Sequence, residues 1–162
     1  MIRSALLSLA LIAAPAGAAL AQDHHGHHAD APTELSADAA SAASVVDAFH
    51  AALASGNTDG ALALLSSDVL IFETGGAERS RDEYAGHHLG SDAAFSAAVP
   101  STVTRRAGHV MGDVAWISSE GRVTGEYNGR AIDRLTVETM VLVRHGETWM
   151  IHHIHWSSRA AG

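Results

Sequence analysis

The sequence predicts an α+β domain: helices first, then a curved antiparallel sheet packed against them. Three observations carry this. Apolar residues recur at helical spacing from Ala42 to Leu53. Ser80-Arg81-Asp82-Glu83 reads as a helix-initiating capping box. From Ser101 onward, long runs of alternating side chains are separated by turn signals, the strongest being Asn128-Gly129. Helical segments followed by a meander place the helices on one side of one sheet.

Each element has its own justification. Ser36 is the expected N-cap of the first helix, with Asp38 in the first turn to meet the helix dipole. Ala42, Val45, Val46, Phe49 and Leu53 form its buried stripe, and Gly56-Asn57 ends it. His50 borders that stripe and reads as a boundary histidine. Thr58 is expected to cap a short second helix, buried through Ala61, Leu62, Leu64 and Leu65. Val69–Thr74 reads as a strand closed by a turn at Gly75-Gly76. The capping box starts a third helix, with Tyr84 and His88 on one face and an interruption at Gly90. Strands follow over 102–110, 114–127, 130–144 and 148–159, with Gly121 and Gly125 as candidate bulges.

The chain has 162 residues, enough for one domain with a core. Cysteine is absent, which excludes disulfides and thiolate metal sites. A formal charge of −8 argues against a nucleic-acid partner. All ten basic residues are arginine, and together with the heavy alanine usage this reads as genome composition bias. Residues 1–21 have the form of a signal peptide: Arg3, an apolar run from Ala5 to Ala14, and a small-x-small site at Ala19-Leu20-Ala21, with Ala16-Gly17-Ala18 as a competitor. The run is too short for a permanent membrane span. Export to a periplasm or secretion is therefore expected.

Residues 22–35 form a His-rich leader and linker, expected to be disordered, ahead of a domain over 36–160. The tract holds His24, His25, His27 and His28, a compositional signal for copper, nickel or zinc. Cleavage after Ala21 would make His24 the third residue. The amino terminus, two amides and the His24 ring would then offer four nitrogens in a plane, unless Gln22 cyclises. The alternative is a solvated leader that binds metals adventitiously.

The candidate catalytic pair lies in the last strand, Trp149-Met-Ile-His-His-Ile-His-Trp-Ser157. Strict alternation would put Trp149, Ile151, His153, His155 and Ser157 on one face. His153 and His155 could then act as general base and partner near neutral pH. Tyr84, Trp116 and Glu138, with Trp149 and Ser157, are the expected pocket wall. The competing account is that both histidines are structural. A metal reading of the pair would need a further ligand such as Glu138, His109 or His88.

Three stretches carry a family resemblance: Ser44–Asn57, Asp59–Phe72, and Trp149-x-Ile-x-His-x-His-x-Ser157. In this order they resemble the nuclear transport factor 2-like superfamily, its SnoaL-like branch most of all. The final-strand pattern is also similar to that of the calcium/calmodulin-dependent kinase association domain. The resemblance covers roughly residues 36–159. It implies a cone-like fold with a pocket between sheet and helices, and a homodimer formed through the sheet. It does not select an activity, because the fold hosts isomerases, cyclases, dehydratases and binding modules. The aspartate base and tyrosine-containing oxyanion site of ketosteroid isomerase-like members could not be placed as a full set. Three readings follow: a small-molecule pocket protein with isomerase-, cyclase- or hydrolase-like activity, a metal-binding accessory protein using the leader, or a non-catalytic dimeric assembly module.

Overall fold

A computed structural model describes residues 35–162. The segment taken as signal peptide and the His-rich tract lie outside the described residues. A 3-10 turn, Ala37–Ala39, leads into α1, Ala40–Ala54. Ala42, Val46, Phe49 and Leu53 of the predicted stripe are buried along α1, together with Ala43, while Val45 is only half-buried at its edge. Gly56, at φ 71°, ends the helix, and Asn57 N–H bonds back to the Ala52 carbonyl at 2.8 Å. Ser36 does not cap: its hydroxyl goes to the Asp38 carboxylate instead. For α2, Thr58–Ala63, the cap is Asn57 rather than Thr58, accepting from the Gly60 amide at 3.0 Å.

Strand β1, Leu65–Glu73, starts earlier than predicted and turns through Thr74-Gly75 into a short β2, Gly76–Glu78, that sequence reading missed. Helix α3, Arg81–His87, opens with the expected cap, Glu83 N–H to Ser80 Oγ at 3.1 Å. The break before α4, Leu89–Ala98, falls at His88, and Gly90 lies inside α4. The meander then runs β3 Ser101–Met111, β4 Val114–Tyr127, β5 Arg130–His145 and β6 Thr148–Ala160. Its middle turn is Asn128-Gly129, both at positive φ.

The sheet order is β2-β1-β6-β5-β4-β3. All neighbours are antiparallel except β1 and β6, which are parallel, so the sheet is mixed. Its helix-facing side packs Ile71, Ile117, Met140, Leu142, Ile151 and Ile154 against Val46, Phe49, Tyr84 and Leu89. Trp149 closes that core, its Nε1–H on Ser41 Oγ at 3.1 Å. At the β3 edge, the Ser36 amide bonds to the Gly108 carbonyl at 3.2 Å and covers part of the strand.

Two irregularities position the site. In β6, Ile151 pairs with Leu142 and His153 with Val141, so His152 is an inserted residue, a bulge. Opposite it, β1 pairs Leu65 with Ile151 and then Leu70 with His153, looping out residues 66–69. The expected bulges at Gly121 and Gly125 do not form. The extra residue is Thr104 on β3, across from Gly121.

Candidate functional site

The β6 bulge corrects the expected grouping of site residues. Trp149 and Ile151 point to the helices, but past His152 the alternation is shifted by one. Ile154 and Trp156 therefore face inward, and His153, His155 and Ser157 face out on the far side of the sheet. Trp116, paired in register with Val141 through β4 and β5, joins them outside. Of the predicted site residues, only Tyr84, Glu138 and Trp149 lie on the helix side. Phe72 meets both outer histidines edge-on, at ring separations of 5.3 Å to His153 and 6.4 Å to His155. His153 Nδ1–H donates to the Leu70 carbonyl at 2.8 Å, which commits that nitrogen to holding β1. His155 and Ser157 instead border an open depression of about 200 Å³ on the sheet, with Ser118, Glu120 and Thr139.

The inner face carries a polar row across five strands: Glu73, Trp156, Glu138, Ser119 and Arg106, each in register with the next. Glu138 is its centre. Its Oε2 accepts from His50 Nε2–H at 2.7 Å and from Trp156 Nε1–H at 2.7 Å. Burial pushes this carboxyl up, but the His50 contact, the Trp156 bond and the Arg106 charge outweigh it and hold the carboxyl below the usual glutamate range. Its other oxygen, Oε1, is buried without a partner among the described residues. Trp156 stacks on Phe49 at 6.3 Å, and Arg106 reaches Asp47 at 2.6 Å, so α1 is tied to this row at three points.

Beyond Trp156 lies an open cleft on the helix side. It has a volume of about 400 Å³ and is lined by Glu73, Thr74, Gly76, Glu78, His88 and Asp92. The β1–β2 turn forms one wall and α3–α4 the other. Tyr84 is fully buried beneath it and donates its hydroxyl to Asp92 Oδ2 at 2.9 Å. Desolvation raises the Asp92 carboxyl above the ordinary aspartate value, against the Tyr84 bond and the His88 charge, which lower it. Glu73 at the rim is raised too, by partial burial and then by the Asp92 charge. Burial, and then the adjoining carboxylates, hold the Tyr84 phenol well above its ordinary value, so it stays a donor. His88 pairs with the buried Glu78, and that hydrogen bond raises its imidazole above the ordinary value.

Tyr84, His88 and Asp92 are four residues apart in turn. Extending the Tyr84–His88 face by one turn would have found Asp92 in the sequence. Nothing local marks Glu78, whose partner His88 is brought in by the β1–β2 hairpin. Among the described residues, no group of three or more His, Asp or Glu side chains is arranged to hold a metal ion.

Residues 42–161 match the SnoaL-like domain family. A candidate ketosteroid isomerase from Shewanella frigidimarina is 40% identical, over 72% of this chain and 94% of that one, with a TM-score of 0.70. This chain belongs to the SnoaL-like domain family. A candidate dehydratase of the NTF2-like family from Streptomyces avermitilis is 21% identical over 76% and 97%, with a TM-score of 0.64. The calcium/calmodulin-dependent kinase II hub of S. rosetta is 20% identical over 74% and 95%, also at 0.64. These last two show the SnoaL-like, NTF2-like fold alone. No functionally curated protein matches the chain.

Proposed function

We propose that this SnoaL-like protein binds a small organic molecule in the cleft between the β1–β2 turn and α3–α4 and moves a proton on it. That is the chemistry shared by isomerases and dehydratases. One observation carries the reading: Asp92 is a desolvated carboxyl with a raised pKa, held by the Tyr84 hydroxyl and opening on a cleft. A carboxylate raised toward the working pH accepts a proton more readily than a solvated one. Glu73 at the rim is the second carrier, able to return a proton to a neighbouring position. Glu138, held ionised, serves as the fixed wall that docks α1 and orients Trp156. The names of the Shewanella and Streptomyces relatives support the same class.

Deuterium exchange at carbon tests this directly. The protein is incubated in D2O with a panel of cyclic ketones and a β,γ-unsaturated 3-ketosteroid, and loss of α-proton signals is followed by NMR. Exchange faster than buffer, reduced on the order of a hundredfold or more in Asp92→Asn, is expected. Exchange at the buffer rate for every probe would remove the reading.

Two further features belong to this proposal. The signal-peptide pattern over residues 1–21 supports an exported protein. The outer sheet face, with Phe72 39% and Val137 52% exposed, supports association of two copies through that face.

A further inference from the structure

Asp92 does not stand alone in its cleft. Glu73 and Glu78 line it as well, and His88 is the one basic side chain that faces them. Among the described residues no arginine lines it. Three carboxylates against one imidazole leave the cleft negative even when His88 is protonated. Burial raises the Glu73 and Asp92 carboxyls first, and neighbouring negative charge adds to it, from Asp92 and Glu78 at Glu73 and from Glu78 at Asp92. Glu78 differs from the other two. Its side chain is only 5% exposed, yet it lines the cleft. His88 Nδ1–H donates to its Oε1. Its Oε2 has no hydrogen-bond partner among the described residues, and unlike Glu138 Oε1 it is not sealed from solvent. A desolvated carboxylate oxygen left open in this way is a seat for a charged donor.

An anion fits this lining badly. A carboxylate or phosphate on the substrate would meet negative charge with no arginine to receive it. A metal ion lacks its ligands too, since no group of three His, Asp or Glu side chains among the described residues is arranged to hold one. An ammonium group needs only an open acceptor and a negative surround. We propose that the substrate of this cleft is a carbonyl compound bearing a protonated amine, with Glu78 Oε2 receiving the ammonium while Asp92 takes a proton from the carbon beside the carbonyl. The inference rests on the reading of the cleft as a proton-transfer site and adds the substrate class. In the step, the Asp92 carboxylate takes the proton, the C–H electron pair moves into the enolate, and return of a proton to carbon restores the carbonyl compound. The ammonium takes no part in that transfer. Its charge offsets the negative charge that develops on the enolate oxygen. Neutral ketones are weaker substrates, and keto acids are excluded.

Three cyclohexanones of matched shape test this on the full chain. They are 4-(dimethylamino)cyclohexanone, cationic at neutral pH, its neutral isostere 4-isopropylcyclohexanone, and 4-oxocyclohexanecarboxylate. Binding is read from proton–nitrogen NMR shifts of the Gly76 and His88 amides, and turnover separately from deuterium exchange beside the carbonyl. The cationic ketone should bind and exchange about tenfold or more better than the isopropyl ketone. That advantage should shrink in about 0.5 M NaCl. The carboxylate should give neither shift nor exchange. Glu78→Gln should bring the cationic-to-neutral ratio close to one. Glu73→Gln, at the rim where folding is least at risk, should lower the ratio by a smaller factor. The ratio is taken within each variant, so a general loss of activity does not move it. Equal shifts and exchange for the cationic and neutral ketones, or a preference for the carboxylate, would overturn the inference and leave the proton-transfer reading standing. Preferred binding of the cationic ketone without exchange would uphold the cation seat and overturn proton transfer. No shift with any of the three would overturn both.

Discussion

His50 and Glu138 lie 88 residues apart in sequence and meet at 2.7 Å, joining the outer end of α1 to the centre of β5. The carboxylate is buried, and the imidazole is 42% exposed at its side chain. The contact therefore has one desolvated partner and one that water screens. Replacing His50 by alanine leaves Trp156 as the one remaining donor to Glu138 among the described residues. A loss of about 1–2 kcal/mol is expected in urea unfolding at neutral pH, less than for a fully buried pair.

The same carboxylate sets an acid limb. Its folded pKa lies below the ordinary value of 4.5, so it favours folding at all pH above the unfolded value. That contribution is lost as pH falls from about 4.5 through the lower folded value. Chemical denaturation between pH 6 and pH 3 should show a steeper loss in the wild type than in Glu138→Gln. Equal slopes would mean that Glu138 is not held ionised.

Asp92 behaves in the opposite sense. Its folded pKa is raised above 3.8, so the unfolded chain loses this proton first as pH rises. Stability from this group is present at low pH and declines once pH exceeds 3.8. Asp92→Asn, which still accepts from Tyr84, should therefore be at least as stable as wild type at pH 7 while losing proton exchange. Tyr84→Phe removes a bond that lowers the Asp92 pKa. In that variant the acid limb of the exchange rate should move to higher pH. A limb that stays in place would separate Tyr84 from the chemistry.

Gly121 sits opposite the extra residue of β3, and a methyl group there would lie 2.8 Å from the Thr102 carbonyl oxygen and 3.0 Å from Thr136 Oγ1. The first of these is backbone and cannot rotate away. Gly121→Ala should cost about 1–3 kcal/mol in thermal or urea unfolding. A neutral result would show that the β3 irregularity yields easily.

Val137 stands 52% exposed on the outer face beside His155 and Ser157. If two copies meet there, Val137→Arg should convert a dimer to a monomer in sedimentation velocity. Proton exchange at the Asp92 cleft, on the opposite side of the sheet, should persist. A wild-type chain already monomeric at micromolar concentration would remove this role for the face.

Local chemistry made much of the fold legible. The α1 stripe, the Ser80–Glu83 cap and the Asn128-Gly129 hairpin were each written within a few residues, and each forms as expected. Contacts set by distant pairing were not legible. β1 joins β6 in parallel across most of the chain, and no neighbouring residue announces it. Glu138 was recognised as a wall residue, but its partner His50 read as a boundary residue. Strict alternation along the last strand would put Trp156 on the face opposite the one that it occupies. That error traces to one inserted residue, because alternation counts parity and a bulge adds one.

The insertion at His152 acts on the last strand as a frameshift acts on a reading frame. Upstream of it, odd positions look inward; downstream, even positions do. A relative whose final strand pairs without that bulge could keep the string Trp-x-Ile-x-His-x-His letter for letter and still turn both histidines toward its helices. Comparing final strands by motif alone would then equate residues that stand on opposite sides of the sheet. The pairing of Ile151 with Leu142 and of His153 with Val141 defines the frame in which such motifs can be compared.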